Sequence, residues 1–133
     1  MEGGNVVRSY LAEIDALDDA LGEAGERFHP IRAGLRAGLA ALTSATEWLI
    51  SRDDVNDALA GAAPYLRMFG TVAGGYYLAR FALHAASDDG ARAEDTIDTA
   101  VFYAEQLLPQ AAGLLPAATG GAAILFAIDP ERS

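Results

Sequence analysis

The sequence predicts an all-α fold, a four-helix up-and-down bundle, and three observations carry that expectation. Apolar residues recur at three- and four-residue steps over long stretches, and no stretch shows the strict alternation of a half-buried strand. Glycine and proline punctuate the chain at intervals suited to helices of about 20 residues joined by short reversals. Hydrophobic residues make up 52% of the 133 residues, much of this is alanine, and aromatics are only 8%, a balance that favours tight packing of small side chains. A chain of this length buries about two thirds of the surface its unfolded form exposes, so a single helical domain over residues 1–133 is expected.

Residues 1–4 read as a flexible leader, and Asn5 is placed to cap a first helix over about residues 5–24. Val7, Leu11, Ile14 and Leu21 form its apolar stripe, with Gly22 or Gly25 closing it. Pro30 suits the first turn of a second helix, 30–51, because the N–H it lacks has no intrahelical partner there. Ile31, Leu35, Leu39, Leu42, Trp48 and Leu49 line that helix. Gly34 and Gly38 cost it about 1 kcal/mol each relative to alanine, which predicts a close helix neighbour on their side.

A third helix, 54–86, starts at Asp53 or Asp54 with Asp57 in its first turn, where negative charge is favoured. Pro64 falls inside it, so either the helix kinks there or a short helix stops before it and a long one begins. The fourth helix, 92–118, carries Ile97, Val101, Phe102, Tyr103 and Leu108, with a second kink near Pro109. Pro116 and the Gly120-Gly121 pair end it, leaving a tail over residues 119–133.

The absence of cysteine removes disulfide frameworks, thiolate metal sites and cysteine nucleophiles. The start of the chain lacks a secretory pattern, and a cytoplasmic location is expected. The net charge of −10 repels phosphate backbones and anionic lipid, so nucleic acid is not an expected partner. All nine basic residues are arginine, a bias typical of GC-rich bacterial coding. Residues 107–128 carry no charge over a nominally membrane-spanning length, but their prolines and glycines make a poor spanning helix, so membrane attachment is not expected.

Side-chain chemistry points to no self-sufficient active site. A dinuclear carboxylate centre needs a Glu-x-x-His pair on each of two helices; His84 has Phe81 three residues before it, and His29 stands beside Pro30, so no metal site is expected. His84 is expected to pair with Asp88. No serine lies in a Gly-x-Ser-x-Gly context, and Gly70 to Gly75 lack the spacing of a phosphate loop.

The distinctive stretch is 65–83, the most aromatic and glycine-dense part of the chain and free of Asp and Glu. Arg67 and Arg80 leave too few uncharged residues between them for a membrane dimer. Gly70, Ala73, Gly74 and Thr71 are therefore expected to form a groove that receives a neighbouring helix, within the bundle or on another subunit. Tyr65, Phe69, Tyr76 and Tyr77 share a broad face suited either to the core or to an interface.

Residues 64–80, Pro-Tyr-Leu-Arg-Met-Phe-Gly-Thr-Val-Ala-Gly-Gly-Tyr-Tyr-Leu-Ala-Arg, resemble the signature of the C-terminal helical domain of acyl-CoA dehydrogenase-like flavoenzymes. Residues 102–111, Phe-Tyr-Ala-Glu-Gln-Leu-Leu-Pro-Gln-Ala, are similar to a second recurrent block. Thr46-Glu47-Trp48-Leu49 and Tyr10-Leu11-Ala12-Glu13-Ile14 match in kind. The resemblance implies an appended, non-catalytic module, because in that family the FAD site, the acyl-CoA site and the catalytic carboxylate lie in preceding domains.

No catalytic, metal-binding or cofactor-binding residue is carried over onto this chain, and FAD is implied only for the parent enzyme. The expected partners are the dehydrogenase core and further copies of the chain, in a homo-oligomer. The expected interface residues are Tyr65, Arg67, Phe69, Gly70, Gly74, Tyr76, Tyr77 and Arg80, with Phe102, Tyr103 and Pro109 opposite. An excised domain is expected in preference to a natural short protein. The alternative is a stand-alone acyl-CoA or small-molecule binder, or a protein-interaction module, with the aromatic face lining an apolar pocket.

Overall fold

The computed structural model describes residues 2–88 and 92–123, and its elements are all helical. Helix α1 spans Glu2–Asp15 and α2 spans Asp18–Glu23; a 3-10 turn, Glu26–Phe28, leads into α3, His29–Ile50. Then follow α4, Val55–Ala60, α5, Ala62–Asp88, α6, Ala93–Gln106, α7, Pro109–Gly113, and α8, Leu115–Thr119.

The start of the chain differs from the expected leader, since helix begins at Glu2. Gly4 is buried with its Cβ position 3.1 Å from Ile50 Cδ1, so packing on the end of α3 holds a turn that local propensity alone would not. A turn at Ala16 and Leu17 separates α1 from α2, and Gly25, at φ 107°, takes the left-handed backbone that closes α2 before the 3-10 turn.

At Pro64 the second of the two expected alternatives is found, a short helix, α4, ending at Ala60 and a long one, α5, beginning at Ala62. The chain breaks at Gly61, and Pro64 lies in the first turn of α5, where the first intrahelical bond runs from Tyr65 N–H to the Gly61 carbonyl at 3.0 Å. The donor that Pro64 lacks is one of the unpaired N–H groups of a helix start, so the proline fits without bending α5. Pro109 likewise opens α7 after a turn at Leu107 and Leu108. Asp54 caps α4, its Oδ1 accepting from Asn56 N–H at 2.9 Å. The expected tail is described only as far as Ala123; residues 124–133 lie outside the described residues.

Contacts fix the directions of the long elements. Arg8 meets Glu47 while Asp18 meets Arg32, so α1 and α2 run against α3. Tyr65 meets Thr46 while Gly38 meets Val72, so α5 runs against α3. Tyr103 meets Thr71 while Phe81 and Thr96 share a cleft, so α6 runs against α5.

At their centre Ile14, Leu21, Ile31, Leu42 and Leu108 are at most 1% exposed, each contributing about 1.5–3 kcal/mol by burial. The seams between helices are made of small residues. Ala45, Ala79, Ala82, Ala111 and Ala118 are fully buried. A Cβ on Gly34 would stand 2.7 Å from the Ala104 carbonyl oxygen, and one on Gly38 would stand 3.3 Å from both Leu108 and Val72. Gly61 likewise receives the Ala118 carbonyl.

Candidate functional site

Helix α5 divides into three surfaces. Met68, Val72, Gly75, Tyr76, Ala79 and Ala82 face the core. Gly75 lies against Leu108, whose Cδ atoms stand 3.0 Å from the position of a Cβ, and Gly74 faces the Tyr103 hydroxyl, which donates to the Thr71 carbonyl at 2.7 Å. The missing side chains at Gly74 and Gly75 are thus what lets α6 and its continuation close on α5.

The second surface is an aromatic cluster against α1. Tyr10 stacks on Phe69 with centroids 5.5 Å apart and meets Tyr76 edge-on at 6.1 Å, while Tyr65 lies 6.3 Å from Phe69. Two of these phenols find a polar partner within the protein. Tyr65 and Thr46 share a hydroxyl hydrogen bond of 2.8 Å, and the Tyr76 hydroxyl donates to Glu13 Oε1 at 3.4 Å. Burial, with the neighbouring Tyr77 phenol second, pushes the Tyr10 hydroxyl up to about 12. Burial also raises Tyr76, with the Glu13 carboxylate adding to it, and raises Tyr103.

The third surface looks outward. Leu66 is 68% exposed, Tyr77 46% and Phe81 60%, and Gly70 has open space where a Cβ would stand. At about 100° per residue these four positions fall within about 60° of arc, a single stripe along the helix. Arg67 and Arg80, both exposed, lie on opposite flanks of it, Arg80 also 5.5 Å over the Tyr76 ring. Val55 and Leu59, each 66% exposed, add apolar side chains on α4, and Phe102, 61% exposed, adds one on α6.

The eleven expected interface residues are therefore split. Tyr65, Phe69, Gly74, Tyr76 and Tyr103 are engaged inside the chain, whereas Arg67, Gly70, Tyr77, Arg80, Phe102 and Pro109 are exposed. Of the expected groove, Gly74, with Gly75 beside it, receives α6 and Leu108 inside the chain, while among the described residues nothing stands on Gly70. Leu66 and Phe81 complete the outer stripe but were not among the expected interface residues. Their four-residue spacing from Gly70 and Tyr77 is the signal that marks them.

Charge separates this helix from its surroundings. Arg8 forks onto Glu47 at 2.8 and 2.9 Å, Arg32 onto Asp18 at 3.0 and 2.8 Å, and Arg27 reaches Glu94 at 2.7 Å and Asp98 at 3.2 Å. Among the described residues no ion pair involves α5, and His84 makes none with Asp88. No group of three or more His, Asp or Glu among them could hold a metal ion, and no helix among them is long and apolar enough to cross a membrane. A groove of about 570 Å³ between α1 and α3 is lined by Leu11, Ala12, Leu39 and Ala40 together with Arg8, Asp15, Arg36 and Glu47, and by none of the aromatic cluster.

Fold and surface together define an all-helical domain built from small-residue seams, with an aromatic stripe on α5 exposed among the described residues. The family described as "Acetyl-CoA dehydrogenase C-terminal like" matches residues 8–129, and the chain belongs to it. Comparison with curated proteins and with solved structures gave no match.

Proposed function

We propose that this chain is a non-catalytic C-terminal helical domain of a cytoplasmic acyl-CoA dehydrogenase-like enzyme, one that packs on the dehydrogenase core and supports oligomer assembly. The observation that carries the reading is the outer stripe of α5, Leu66, Gly70, Tyr77 and Phe81, on a chain of the family described as acetyl-CoA dehydrogenase C-terminal like. Aromatic and leucine side chains held on a rigid helix, with arginines at the edge, have the composition of a protein interface core and rim. FAD and acyl-CoA would belong to the core and not to this domain.

The test supplies the 133-residue chain to a dehydrogenase of this family from which the C-terminal domain has been removed. Sedimentation is expected to show a stoichiometric complex larger than either part, weakened by Tyr77→Glu or Phe81→Glu. A core that sediments identically with and without the chain would overturn the reading.

A further inference from the structure

We propose that the outer face of α5 seats an acidic amphipathic helix, bulky and apolar along its seam with carboxylates at its edges, and not a second copy of this chain. The inference rests on the docking function above, which makes that helix part of the dehydrogenase region.

Shape selects a helix. Leu66, Gly70, Ala73 and Tyr77 follow one another at steps of four, three and four, the spacing of a helix–helix seam. Gly70 has open space in place of a Cβ, and Ala73 follows it, so the stripe has a low waist between Leu66 at one end and Tyr77 with Phe81 at the other. A large side chain of a crossing helix fits over that waist.

Charge selects the occupant. The chain carries a net −10, yet residues 58–87 contain no Asp or Glu, and the only charged side chains on α5 before Asp88 are Arg67 and Arg80, apart from any charge on His84. Arg8, Arg27, Arg32 and Arg36 are used in ion pairs with carboxylates of this chain, whereas Arg67 and Arg80 make none among the described residues. Two copies seated face on face would bring four guanidinium groups to the edges of the seam with no carboxylate from α5 to meet them. Carboxylates at the edges of a foreign helix satisfy both arginines.

The experiment uses the 133-residue chain and two labelled helical peptides of about three heptads, identical along a leucine seam and carrying glutamate or lysine at the flanking positions. Anisotropy at low salt is expected to show the glutamate peptide binding about tenfold more tightly, against the sign of the chain's net charge. The preference should reverse in the Arg67→Glu/Arg80→Glu double variant. Gly70→Leu should abolish binding of both peptides while the circular dichroism spectrum and Tm stay close to those of the parent, because the site is open.

Preference for the lysine peptide, binding of neither peptide, or a sedimenting dimer that Gly70→Leu turns into monomer would each overturn the proposal. Assembly on the dehydrogenase region with affinity unchanged in the double variant would sink this inference while leaving the docking function standing. Peptide discrimination without any assembly on that region would do the reverse.

Discussion

The hydroxyl of Tyr103 lies 2.5 Å from the position a Cβ on Gly74 would take, and it is fixed there by its 2.7 Å hydrogen bond to the Thr71 carbonyl. Gly74 is thus the complement of a tyrosine on the neighbouring helix, and the two positions should respond to mutation as a pair. Gly74→Ala gains about 1 kcal/mol of helix propensity but displaces a hydroxyl whose hydrogen bond contributes about 1 kcal/mol. In a Tyr103→Phe background the displaced atom is absent, so the alanine should be better tolerated. A double-mutant cycle by urea titration is expected to give a coupling of about 1 kcal/mol; additivity would mean that the two residues do not meet.

The glycines of this chain should split by surroundings, not by helix position. Gly70→Ala enters open space and should stabilise by about 0.5–1 kcal/mol. Gly34→Ala meets the Ala104 backbone carbonyl, which cannot rotate away, and should destabilise by about 1–3 kcal/mol. Chemical denaturation of the two variants reads the opposite signs directly.

Alkaline stability should follow Tyr10. Its phenol titrates near 10 in the unfolded chain and near about 12 when folded, so the folded state holds the proton more tightly. That contribution is complete below pH 10 and is lost as the pH rises through the folded value. The urea midpoint should therefore fall across this window, and Tyr10→Phe should flatten the fall. An unchanged slope in the phenylalanine variant would remove Tyr10 as its source.

In acid Asp18 contributes, as does Glu47, whose carboxyl the Arg8 hydrogen bonds also lower. The Asp18 carboxyl is held below the ordinary value of 3.8, chiefly by the Arg32 hydrogen bonds against an opposing effect of burial. A depressed folded value gives stability that is present above the ordinary value and is lost as the pH falls through the depressed one. Asp18→Asn should lower Tm at neutral pH, and the gap to the parent should close under strong acid. A gap that persists there would assign the loss to packing instead of charge.

Much of the fold is legible because helical period and punctuation agree. Ile31, Leu35, Leu39 and Leu42 mark α3 by spacing alone, and Pro30 sets its entrance. What escapes the sequence is phase and partner. Gly70 and Gly74 look equivalent as a pair four residues apart, yet one faces solvent and the other α6, because about 40° of helical rotation separates them. Pro64 and Pro109 signal a disruption without deciding between a kink and a break; each sits just after a break, where a helix start accepts it.

The aromatic residues between Tyr65 and Phe81 show the same limit for the site. Composition marks the stretch as unusual, but the sorting into inner and outer rings depends on where α1 lies, and only the folded chain brings Tyr10 against Phe69 and Tyr76. The two leucines of α4 and α5 left outside, Leu59 and Leu66, look like any core leucine in the sequence.

The alanine and glycine seams make this domain brittle in one direction only. Where contacts are formed by methyl groups and bare backbone, as at Gly34 on Ala104, Gly61 on Ala118 and Gly38 between Val72 and Leu108, there is little mass to lose. Added mass has nowhere to go. Replacing a seam alanine by glycine leaves a hole of at most a methyl, whereas enlarging a seam glycine or alanine pushes whole helices apart, so at these positions the sequence space open to this fold is bounded by gain of bulk far more sharply than by its loss.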